Sequence, residues 1–381
     1  MDPLTARWRP EFPGLDRHIY LNTCSLGQLS QRSVAAMHRF MDLWADLGAS
    51  AWYEIWLGEV AEARARFARL IHAQPHEVAL LPSVSVALSV IGSSLDYSQR
   101  PQVVVTEMDF PTVAYPWLAR AREGVQVRFL PAPDGVHVPL EAFQEAIGPE
   151  TALVATTHVF FTSGWIQDLR AIARLAHAAG ALCLVDGYQA VGQIPVDVKA
   201  AEVDIYIGGG LKWLLGGPGA VFMYVREELI PQLEPTTTGW FATQEMFRFD
   251  PRSFQWAQDA RRFEPGTPAL AAVFAANAGM SIVEQIGVPA IRARTQALVA
   301  DLVARLREAG LQPRMPEDPE RHAGIVMVPV ADPPGAVQAL RRGQIIVDHR
   351  PGALRISPYF YNTEAENQAL VDTLSALERR P

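Results

Sequence analysis

The chain has 381 residues, of which 49% are apolar, with two cysteines and a formal net charge of −8 at pH 7. This length predicts about two domains, and the negative charge without any basic, aromatic-rich run argues against a nucleic-acid surface. No apolar stretch approaches the ~20 residues of a membrane span, and the first ten residues contain no apolar signal core. Cys24 and Cys183 cannot form a disulfide framework. We therefore expect a cytoplasmic enzyme that binds neither membrane nor nucleic acid.

The first two thirds of the chain predict an arm followed by alternating strands and helices. Residues 1–30 are rich in proline and glycine without periodicity, which indicates an extended arm. Helical spacing of apolar residues predicts helices over Ser33–Leu47, Tyr53–Ile71 and Val86–Leu95. After these, strands are predicted over Val103–Val105, Val125–Leu130, Leu153–Thr156 and Leu182–Val185, and helices over Thr112–Arg122, Leu140–Ile147 and Leu169–Ala179. Such alternation predicts an α/β fold with a mostly parallel sheet covered on both faces.

The last third predicts a second, smaller domain. Residues 231–262 are polar and aromatic with little periodicity, which is typical of a long connection. Two long helices are predicted over Ala269–Ile286 and Pro289–Ala309, and Gly310 ends the second. Strands over Ile325–Val330 and Ile345–Val347 and helices over Ala336–Arg342 and Glu364–Leu377 complete an α+β end. The predicted organisation is an arm (1–30), a large α/β domain (31–262) and a small C-terminal α+β domain (263–381).

A single lysine stands in an apolar, glycine-rich stretch. Two runs, Asp204–Ile207 and Ala220–Val225, predict strands, and Lys212 lies between them among glycines. Glycine lets the backbone turn and approach a ligand closely. The neighbours of Lys212, Leu211 and Trp213–Leu215, are apolar, so we expect its amine to lose water, which lowers its pKa and makes it nucleophilic. The alternative is a surface hairpin with a solvated lysine.

A carboxylate follows the apolar run Ala181–Val185 upstream of this lysine. Asp186 would lie at the C-terminal end of a buried strand, where open α/β sheets bind ligands. An aspartate before an imine-forming lysine suits pyridoxal phosphate, since the lysine holds the aldehyde and the carboxylate keeps the pyridine nitrogen protonated. The alternative for Asp186 is a cap at the end of the strand.

Several motifs occur in a characteristic order along the chain. They are Tyr20-Leu-Asn-Thr-Cys-Ser-Leu-Gly27, Phe110-Pro-Thr112, Asp186-Gly-Tyr-Gln189, Lys212 with Gly216-Gly-Pro-Gly219, Gly239-Trp-Phe241, Phe263-Glu-Pro-Gly-Thr-Pro268 and Asp348-His-Arg-Pro351 through Arg355. Each motif is weak alone, but in this order they resemble the class V branch of the fold-type I pyridoxal-phosphate enzymes. The nearest group is kynureninase-like, with cysteine desulfurases next. The resemblance implies the fold-type I transferase architecture, a mostly parallel central sheet flanked by helices, and pyridoxal 5'-phosphate as cofactor.

The resemblance also implies which residues contact the cofactor ring. Lys212 would form the internal aldimine and later move protons at the substrate carbon. Asp186 would pair with the pyridinium nitrogen, and Phe110 would stack on the pyridine. Gln189 falls where the family has a histidine or glutamine near the phenolic oxygen. The alternatives are a core phenylalanine and a plain helix-start glutamine.

Other residues are implied to bind the cofactor phosphate. Ser83, Val84 and Ser85 lie between a strand and a helix, where backbone N–H groups and hydroxyls bind anions. The alternative for Ser83 is an ordinary N-cap. Trp240 matches a tryptophan whose indole N–H meets the phosphate in kynureninases. Gly266-Thr267 matches a loop that reaches the phosphate of the neighbouring subunit, which implies a homodimer with shared active sites.

The substrate carboxylate has one strong candidate ligand. Arg355 matches the family arginine that grips this group, and a guanidinium fork fits a carboxylate bidentately. His349 is the one histidine expected near the site, and Arg350 is a weaker, more structural candidate. The resemblance therefore implies an α-amino acid substrate, bound as an external aldimine.

The sequence also departs from the kynureninase pattern. Leu211 replaces a tyrosine that assists proton transfer, Phe160 replaces an asparagine near the cofactor oxygen, and Cys24 replaces an asparagine of the N-terminal motif. No cysteine follows Cys183, which excludes the persulfide step of cysteine desulfurases. We expect a kynureninase-like lyase or hydrolase acting at the β-carbon. The alternatives are a class V aminotransferase or epimerase, and a catalytically inactive binding protein on the same fold.

Other function classes lack their motifs. Lys212 is followed by Trp213 and not by the serine or threonine of a P-loop. Neither a dinucleotide-binding glycine motif nor a nucleophile elbow occurs. The histidines and cysteines show no metal-ligand spacing, so we expect no metal site.

Overall fold

The computed structural model describes residues 1–378. Its helices are α1 (Pro3–Trp8), α2 (Gln31–Leu47), α3 (Leu57–Leu70), α4 (Val84–Gly92), α5 (Tyr115–Leu118), α6 (Leu140–Ala146), α7 (Leu169–Ala178), α8 (Leu270–Ile286), α9 (Val288–Glu308), α10 (Pro333–Arg342) and α11 (Glu364–Glu378). Its strands are β1 (Ile19–Tyr20), β2 (Val78–Leu81), β3 (Gln102–Thr106), β4 (Gln126–Leu130), β5 (Thr151–Thr157), β6 (Leu182–Asp186), β7 (Ile205–Gly209), β8 (Val221–Val225), β9 (Val326–Pro329), β10 (Ile345–Ile346), β11 (Asp348–Arg350) and β12 (Ala353–Ile356).

The central sheet has the strand order β2-β8-β7-β6-β5-β3-β4. The pairs from β7 through β6, β5 and β3 to β4 are parallel, whereas β8 is antiparallel to both β7 and β2. Strands such as β7 and β8 are buried along their whole length, as expected for a sheet with helices on both faces. The predicted α/β fold with a mostly parallel, helix-flanked sheet is confirmed.

This topology brings five loops to one edge of the sheet. Because β2 and β7 are both antiparallel to β8, they point in the same direction as β3, β5 and β6. The segments that follow these five strands therefore meet at the carboxyl edge, where open α/β sheets bind ligands. They include the start of α4, the segments after β3, β5 and β6, and the turn that carries Lys212.

A second core lies under the C-terminal sheet. This antiparallel sheet has the order β11-β12-β9, and its core includes Leu302, Val326, Leu354 and Leu370. Helix α8 belongs instead with the core of the large sheet. The boundary predicted at residue 263 stays a prediction, and residues 379–381 of that predicted domain lie outside the described residues.

Helices α8 and α9 are the two long helices that the sequence predicted. They meet at a bend of 81°, and together they reach the length and apolar composition of a broken membrane span. Within residues 1–378, no single helix is long and apolar enough to cross a membrane.

Two segments differ from their predicted structure. Residues 1–30 contain helix α1, which Asp2 caps, and 3-10 turns. Phe12 anchors this segment by packing against Phe360 and Tyr361, with ring centroids 5.9 and 4.9 Å apart. The helix predicted over Thr112–Arg122 is reduced to the single turn α5 between 3-10 turns. Pro111 and Pro116 explain this reduction, since proline lacks the N–H that a continuous helix needs.

Candidate active site

Lys212 lies in the tight connection between β7 and β8. The Gly210 N–H donates to the Ala220 carbonyl over 2.9 Å, and the Gly216 N–H donates to the Gly210 carbonyl over 2.7 Å. The N-terminal segment packs directly on this turn, because a Cβ added to Gly27 would lie 2.2 Å from the Lys212 carbonyl oxygen. Only glycine allows this approach. The backbone of the lysine is therefore fixed from two directions.

The Lys212 side chain is half-buried among aromatic rings. Its Nζ lies 5.0 Å from the Tyr188 ring centroid and 5.9 Å from that of Phe110. Burial lowers the pKa of Lys212 to about 8, although the charge of Asp186 opposes this shift. No carboxylate of residues 1–378 forms an ion pair with it. A desolvated amine of this kind is both a nucleophile and a base near neutral pH.

The sequence contains only one other lysine, Lys199. Its side chain is 46% exposed and pairs with Glu77. Lysine scarcity was a signal that sequence reasoning missed, since 33 basic residues include only these two. Lys199 is an ordinary surface lysine, so Lys212 is the amine available for chemistry.

Asp186 ends β6 beside Lys212 on the same cavity wall. Its Oδ1 accepts a 2.9 Å hydrogen bond from the Tyr188 N–H. Burial raises its pKa, and the Tyr188 hydrogen bond and the Lys212 charge oppose the rise. Gly187 is required here because any Cβ would lie about 2.1 Å from the Tyr206 ring. The buried carboxylate is suited to pairing with a cationic ring nitrogen.

Gln189 also lines the cavity but is held by protein atoms. Its Nε2 donates to the Cys24 carbonyl over 3.0 Å, and its Oε1 accepts from the Trp213 indole over 2.8 Å. An amide nitrogen has two hydrogens, so one N–H is left for a ligand. The predicted contact to the cofactor oxygen is compatible with this arrangement and stays a prediction.

The start of α4 forms a hydroxyl-rich end of the cavity. Ser83, Val84 and Ser85 all line it, together with Thr112. The Ser83 hydroxyl accepts from the Val86 N–H over 3.2 Å, so this residue is also the N-cap of the helix. The hydroxyls of Ser85 and Thr112 lie 2.5 Å apart. A helix N-terminus with three hydroxyls fits a phosphate. Thr112 was in a recognised motif, but the sequence alone assigned it no role.

Phe110 is held in the cavity wall by a buried acid. Asp109 accepts backbone hydrogen bonds from Thr106 over 2.8 Å and Thr157 over 2.7 Å, which ties the ends of β3 and β5 together. Burial raises the pKa of Asp109 to about 6 against these hydrogen bonds. The Phe110 ring meets Phe161 edge to face at 5.3 Å. The ring is thus positioned as a rigid surface for a planar ligand.

The opposite end of the cavity is a cluster of charges. Arg355 is only 2% exposed, and its Nη2 donates to the Ser25 hydroxyl over 2.6 Å and to Asp348 Oδ2 over 3.0 Å. Its Nη1 donates to the Phe161 carbonyl over 3.1 Å. Its Nε has no hydrogen-bond partner among the described residues. Arg350 reaches the same Asp348 oxygen over 2.8 Å. A buried arginine with an unused donor fits a carboxylate ligand.

The strand register explains which residues of this motif face the cavity. Asp348 pairs with Arg355 across β11 and β12, whereas His349 pairs with Leu354. Successive side chains point to opposite faces of a sheet. The structure therefore places Asp348, Arg350 and Arg355 on the cavity wall, and His349 is not among the lining residues.

Three further predicted residues lie elsewhere in the chain. Trp240 is 42% exposed and lines a separate cavity of about 620 Å³. Thr267 is exposed, and a Cβ on Gly266 would meet open space. None of the three lines the cavity that holds Lys212. The contacts predicted for Gly266 and Thr267 depend on a second subunit, and all three contacts to a phosphate stay predictions.

The positions where the sequence departs from the kynureninase pattern fall into two groups. Leu211 and Cys24 line the cavity, whereas Phe160 is buried in the core. The hydroxyl of Ser163, three residues after Phe160, donates to the Val136 carbonyl. Phe161, the neighbour of Phe160, supplies the ring that faces the cavity.

The cavity as a whole has a volume of about 540 Å³. It presents an unpaired amine, a buried carboxylate, an aromatic ring, a hydroxyl-lined helix start and an arginine cluster. This donor set fits pyridoxal phosphate together with an amino acid. Among residues 1–378, no group of three or more histidine, cysteine, aspartate or glutamate side chains is arranged to hold a metal ion.

Sequence comparison identifies relatives over the full chain. The aminotransferase class-V family profile matches residues 19–370. A Bacillus subtilis (strain 168) protein described as the uncharacterized aminotransferase YcbU is 38% identical over 380 residues, covering 99% of both chains. Isopenicillin N epimerase of Streptomyces clavuligerus is 31% identical and covers 94% of both. Kynureninase of Deinococcus radiodurans is 32% identical over 81% of this chain and 75% of its own.

Solved structures share the fold. The apo cysteine desulfurase of Thermococcus onnurineus NA1 superposes with a TM-score of 0.88 at 23% identity, covering 98% of this chain and 97% of its own. A mutant of C-DES with glycine covalently linked to its PLP cofactor gives a TM-score of 0.89 at 22% identity, covering 96% and 98%. These matches confirm the predicted fold-type I architecture.

Proposed function

Because the chain belongs to the aminotransferase class-V family and its cofactor is pyridoxal phosphate, we propose that it cleaves a bond at the β-carbon of an α-amino acid. The observation that carries the proposal is one cavity that holds Lys212, Asp186 and Arg355. An amine near neutral pKa, a buried carboxylate and a carboxylate-binding guanidinium are the groups that amino-acid chemistry on this cofactor needs.

Each of these residues has a distinct task. Bound pyridoxal phosphate supplies an electron sink for the α-carbon. Lys212 holds the cofactor and takes the α-proton, since its pKa is lowered to about 8 by burial. Asp186 keeps a cationic ring nitrogen in place, and Arg355 fixes the substrate carboxylate. In an elimination, the β-substituent leaves with its bonding electrons, and water converts the remaining enamine to a keto acid and ammonia.

Elimination is favoured over kynureninase-type hydrolysis by the cavity wall. Hydrolysis at the β-carbon side needs a residue that moves a proton to or from the cleaved group. Leu211 stands at the position of the kynureninase tyrosine and carries no such proton. Phe110, Phe161 and Pro218 add further apolar wall. Solved structures of the same fold include a cystine C–S lyase, C-DES. We therefore place a lyase ahead of a hydrolase.

An aminotransferase or epimerase is the second candidate. The Bacillus subtilis relative is described as an aminotransferase, and the Streptomyces clavuligerus relative is an epimerase that matches over 94% of both chains. Both reactions also begin with proton removal at the α-carbon, which Lys212 can perform. They differ from elimination in where the proton returns, so their products distinguish them.

A panel of amino acids with mass detection of all products tests the reaction type. A β-lyase releases ammonia, a shortened keto acid and the intact leaving group. A hydrolase of the kynureninase type releases alanine, a transaminase releases a keto acid with the full carbon skeleton, and an epimerase changes only the chirality. Full-length keto acid or inverted amino acid as the main product would replace the proposal with the second candidate. No product and no spectral response to any amino acid would favour a binding protein.

The enzyme is further proposed to act as a cytoplasmic homodimer with shared sites. Thr267 and Trp240 are exposed in the single chain, as residues that serve a neighbouring site would be. Both cysteines are free and buried, which suits a reducing compartment. Sedimentation velocity combined with activity measurements over a dilution series tests the assembly, and a fully active monomer would contradict it.

A further inference from the structure

The charges at the Arg355 end of the cavity are nearly balanced before any substrate binds. Arg355 and Arg350 contribute two positive charges, and both donate to the same oxygen of Asp348. Burial alone would raise the pKa of Asp348, but hydrogen bonds from His349 and Arg350 and the charges of both arginines outweigh it and lower the pKa. The carboxylate is therefore ionised at neutral pH, and the cluster carries a net charge of about +1.

This net charge matches a single substrate carboxylate. When Arg355 binds the α-carboxylate, the cluster and its ligand together become neutral. Asp348 Oδ2 also accepts from the Ser25 hydroxyl over 3.0 Å, and its Oδ1 accepts from the His349 N–H over 2.8 Å, so four donors hold the acid in place. An acid held this firmly stays between the two arginines, and Arg350 has no surplus charge for a second anion.

Among the described residues, the remainder of the cavity offers no further cation for an anionic side chain. Among the described residues that line it, the other charged groups are Asp186 and Lys212, which serve the cofactor. Phe110, Phe161, Leu211 and Pro218 add apolar side chains to the cavity wall. A carboxylate placed against these surfaces would be desolvated without a counter-charge, which is strongly unfavourable.

We propose that Asp348 is a specificity-determining residue, which disfavours α-amino acids with an anionic side chain by cancelling the charge of Arg350. This inference rests on the proposed function, because it assumes that an α-amino acid binds with its carboxylate at Arg355. It names the substrate class of the same site and does not depend on which bond is broken.

Isosteric amino-acid pairs give a direct test on the holoenzyme. Glutamine and glutamate, and asparagine and aspartate, differ in side-chain charge at nearly constant shape. The apparent Kd of each is read from the change in visible absorbance of the bound cofactor, which does not require turnover. We expect the wild type to bind the neutral member about a hundredfold more tightly. In Asp348→Asn this preference should fall by at least about tenfold, since Arg350 is then free to pair with an acidic side chain.

Two further variants keep the test decisive. In Arg350→Gln, Asp348 cancels the charge of Arg355 instead. This variant should weaken the binding of both amino acids of a pair by about tenfold without reducing the preference for the neutral one. If Asp348→Asn does not fold, Arg350→Gln serves as the test in its place. Asp96→Asn is the matched control, because Asp96 is an exposed acid bonded only to Ser98 in its own turn. It should change neither affinity nor preference.

The outcomes separate this inference from the proposed function. If the wild type binds acidic members as well as neutral ones, or if Asp348→Asn leaves the preference unchanged, the role of Asp348 is wrong and the amino-acid function stands. An Arg350→Gln variant with unchanged affinities would also overturn it. If no amino acid of either class changes the spectrum, the proposed function itself fails, and this inference fails with it.

Discussion

The two ends of the active-site cavity each hold a cation, and the surroundings of the two cations are opposite in kind. At one end, Lys212 lies among aromatic rings and forms no ion pair with the described residues, and burial lowers its pKa to about 8. At the other end, Arg355 is fully buried and has Asp348, Ser25 and the Phe161 carbonyl as partners. The first arrangement makes a group reactive, because a bare amine gives up its proton easily. The second arrangement holds a guanidinium that stays charged. Two of its nitrogens already have hydrogen-bond partners, and the remaining donor suits the binding of a carboxylate.

The largest effect should come from removing the unpaired cation. Lys212→Ala should abolish turnover, because no other residue of the cavity can hold the cofactor covalently. Borohydride treatment followed by peptide mass spectrometry should attach the cofactor to Lys212 in the wild type. Lys199→Ala is the matched control, since it removes the only other lysine, and should retain both label and activity. Label on Lys199, or turnover in Lys212→Ala, would contradict the assignment.

Removal of the acid beside the lysine should have the second largest effect on turnover. Asp186→Asn should lower kcat by at least about a hundredfold, since a neutral ring nitrogen is a poor electron sink. Because the amide is nearly isosteric, the protein should still fold and bind the cofactor. Steady-state kinetics and the cofactor spectrum measure the two effects separately. A variant with wild-type kcat would show that Asp186 only caps its strand.

At the paired end, a conservative change should have a smaller but clear effect. Arg355→Lys should lower kcat/KM roughly 30- to 1000-fold, because an ammonium cannot reproduce the planar fork. This fold-change corresponds to a loss of about 2–4 kcal/mol of transition-state stabilisation. The visible spectrum without substrate should not change. Arg305→Lys is the control, as Arg305 pairs with Asp301 on one helix outside the cavity. An unchanged kcat/KM in Arg355→Lys would move the carboxylate site elsewhere, with Arg350 the next residue to replace.

The smallest effect concerns how the surroundings of Lys212 set its pKa. Only the neutral amine attacks an aldehyde, so attachment of pyridoxal phosphate to the apoprotein should accelerate as pH rises and level off above about 8, the lowered pKa of Lys212. In Asp186→Asn the inflection should move to lower pH, because the charge that raises the lysine pKa is gone. Stopped-flow absorbance follows both. An inflection near the usual lysine value of 10.5 would show that the amine is solvated.

The large-domain end of the site was predictable from short-range patterns. The run that ends at Asp186 and the glycine-rich turn around Lys212 are local signals, and parallel pairing of β5, β6 and β7 brings them to one edge. The sequence placed Asp186 at the end of a strand and Lys212 in the turn between two strands, as the structure does. Strand boundaries were less accurate, since β7 continues to Gly209 where glycines had indicated a turn.

The charged end was only partly predictable, because it depends on long-range register. Arg355 was singled out by its motif, but strand β12 was not foreseen. Without that strand, the alternation that puts Arg350 on the cavity wall and His349 off it could not be derived. The role of Ser25 was equally hidden, since nothing in an N-terminal turn predicts a contact with a C-terminal arginine.

The contact between Ser25 and Arg355 joins positions 330 residues apart in the chain. Lys212 lies between them in sequence, so an N-terminal segment and a C-terminal segment meet to close the cavity around the lysine. During synthesis, the large sheet can be complete while the carboxylate-binding segment is still inside the ribosome. The substrate site therefore depends on contacts of high sequence separation, which form slowly during folding.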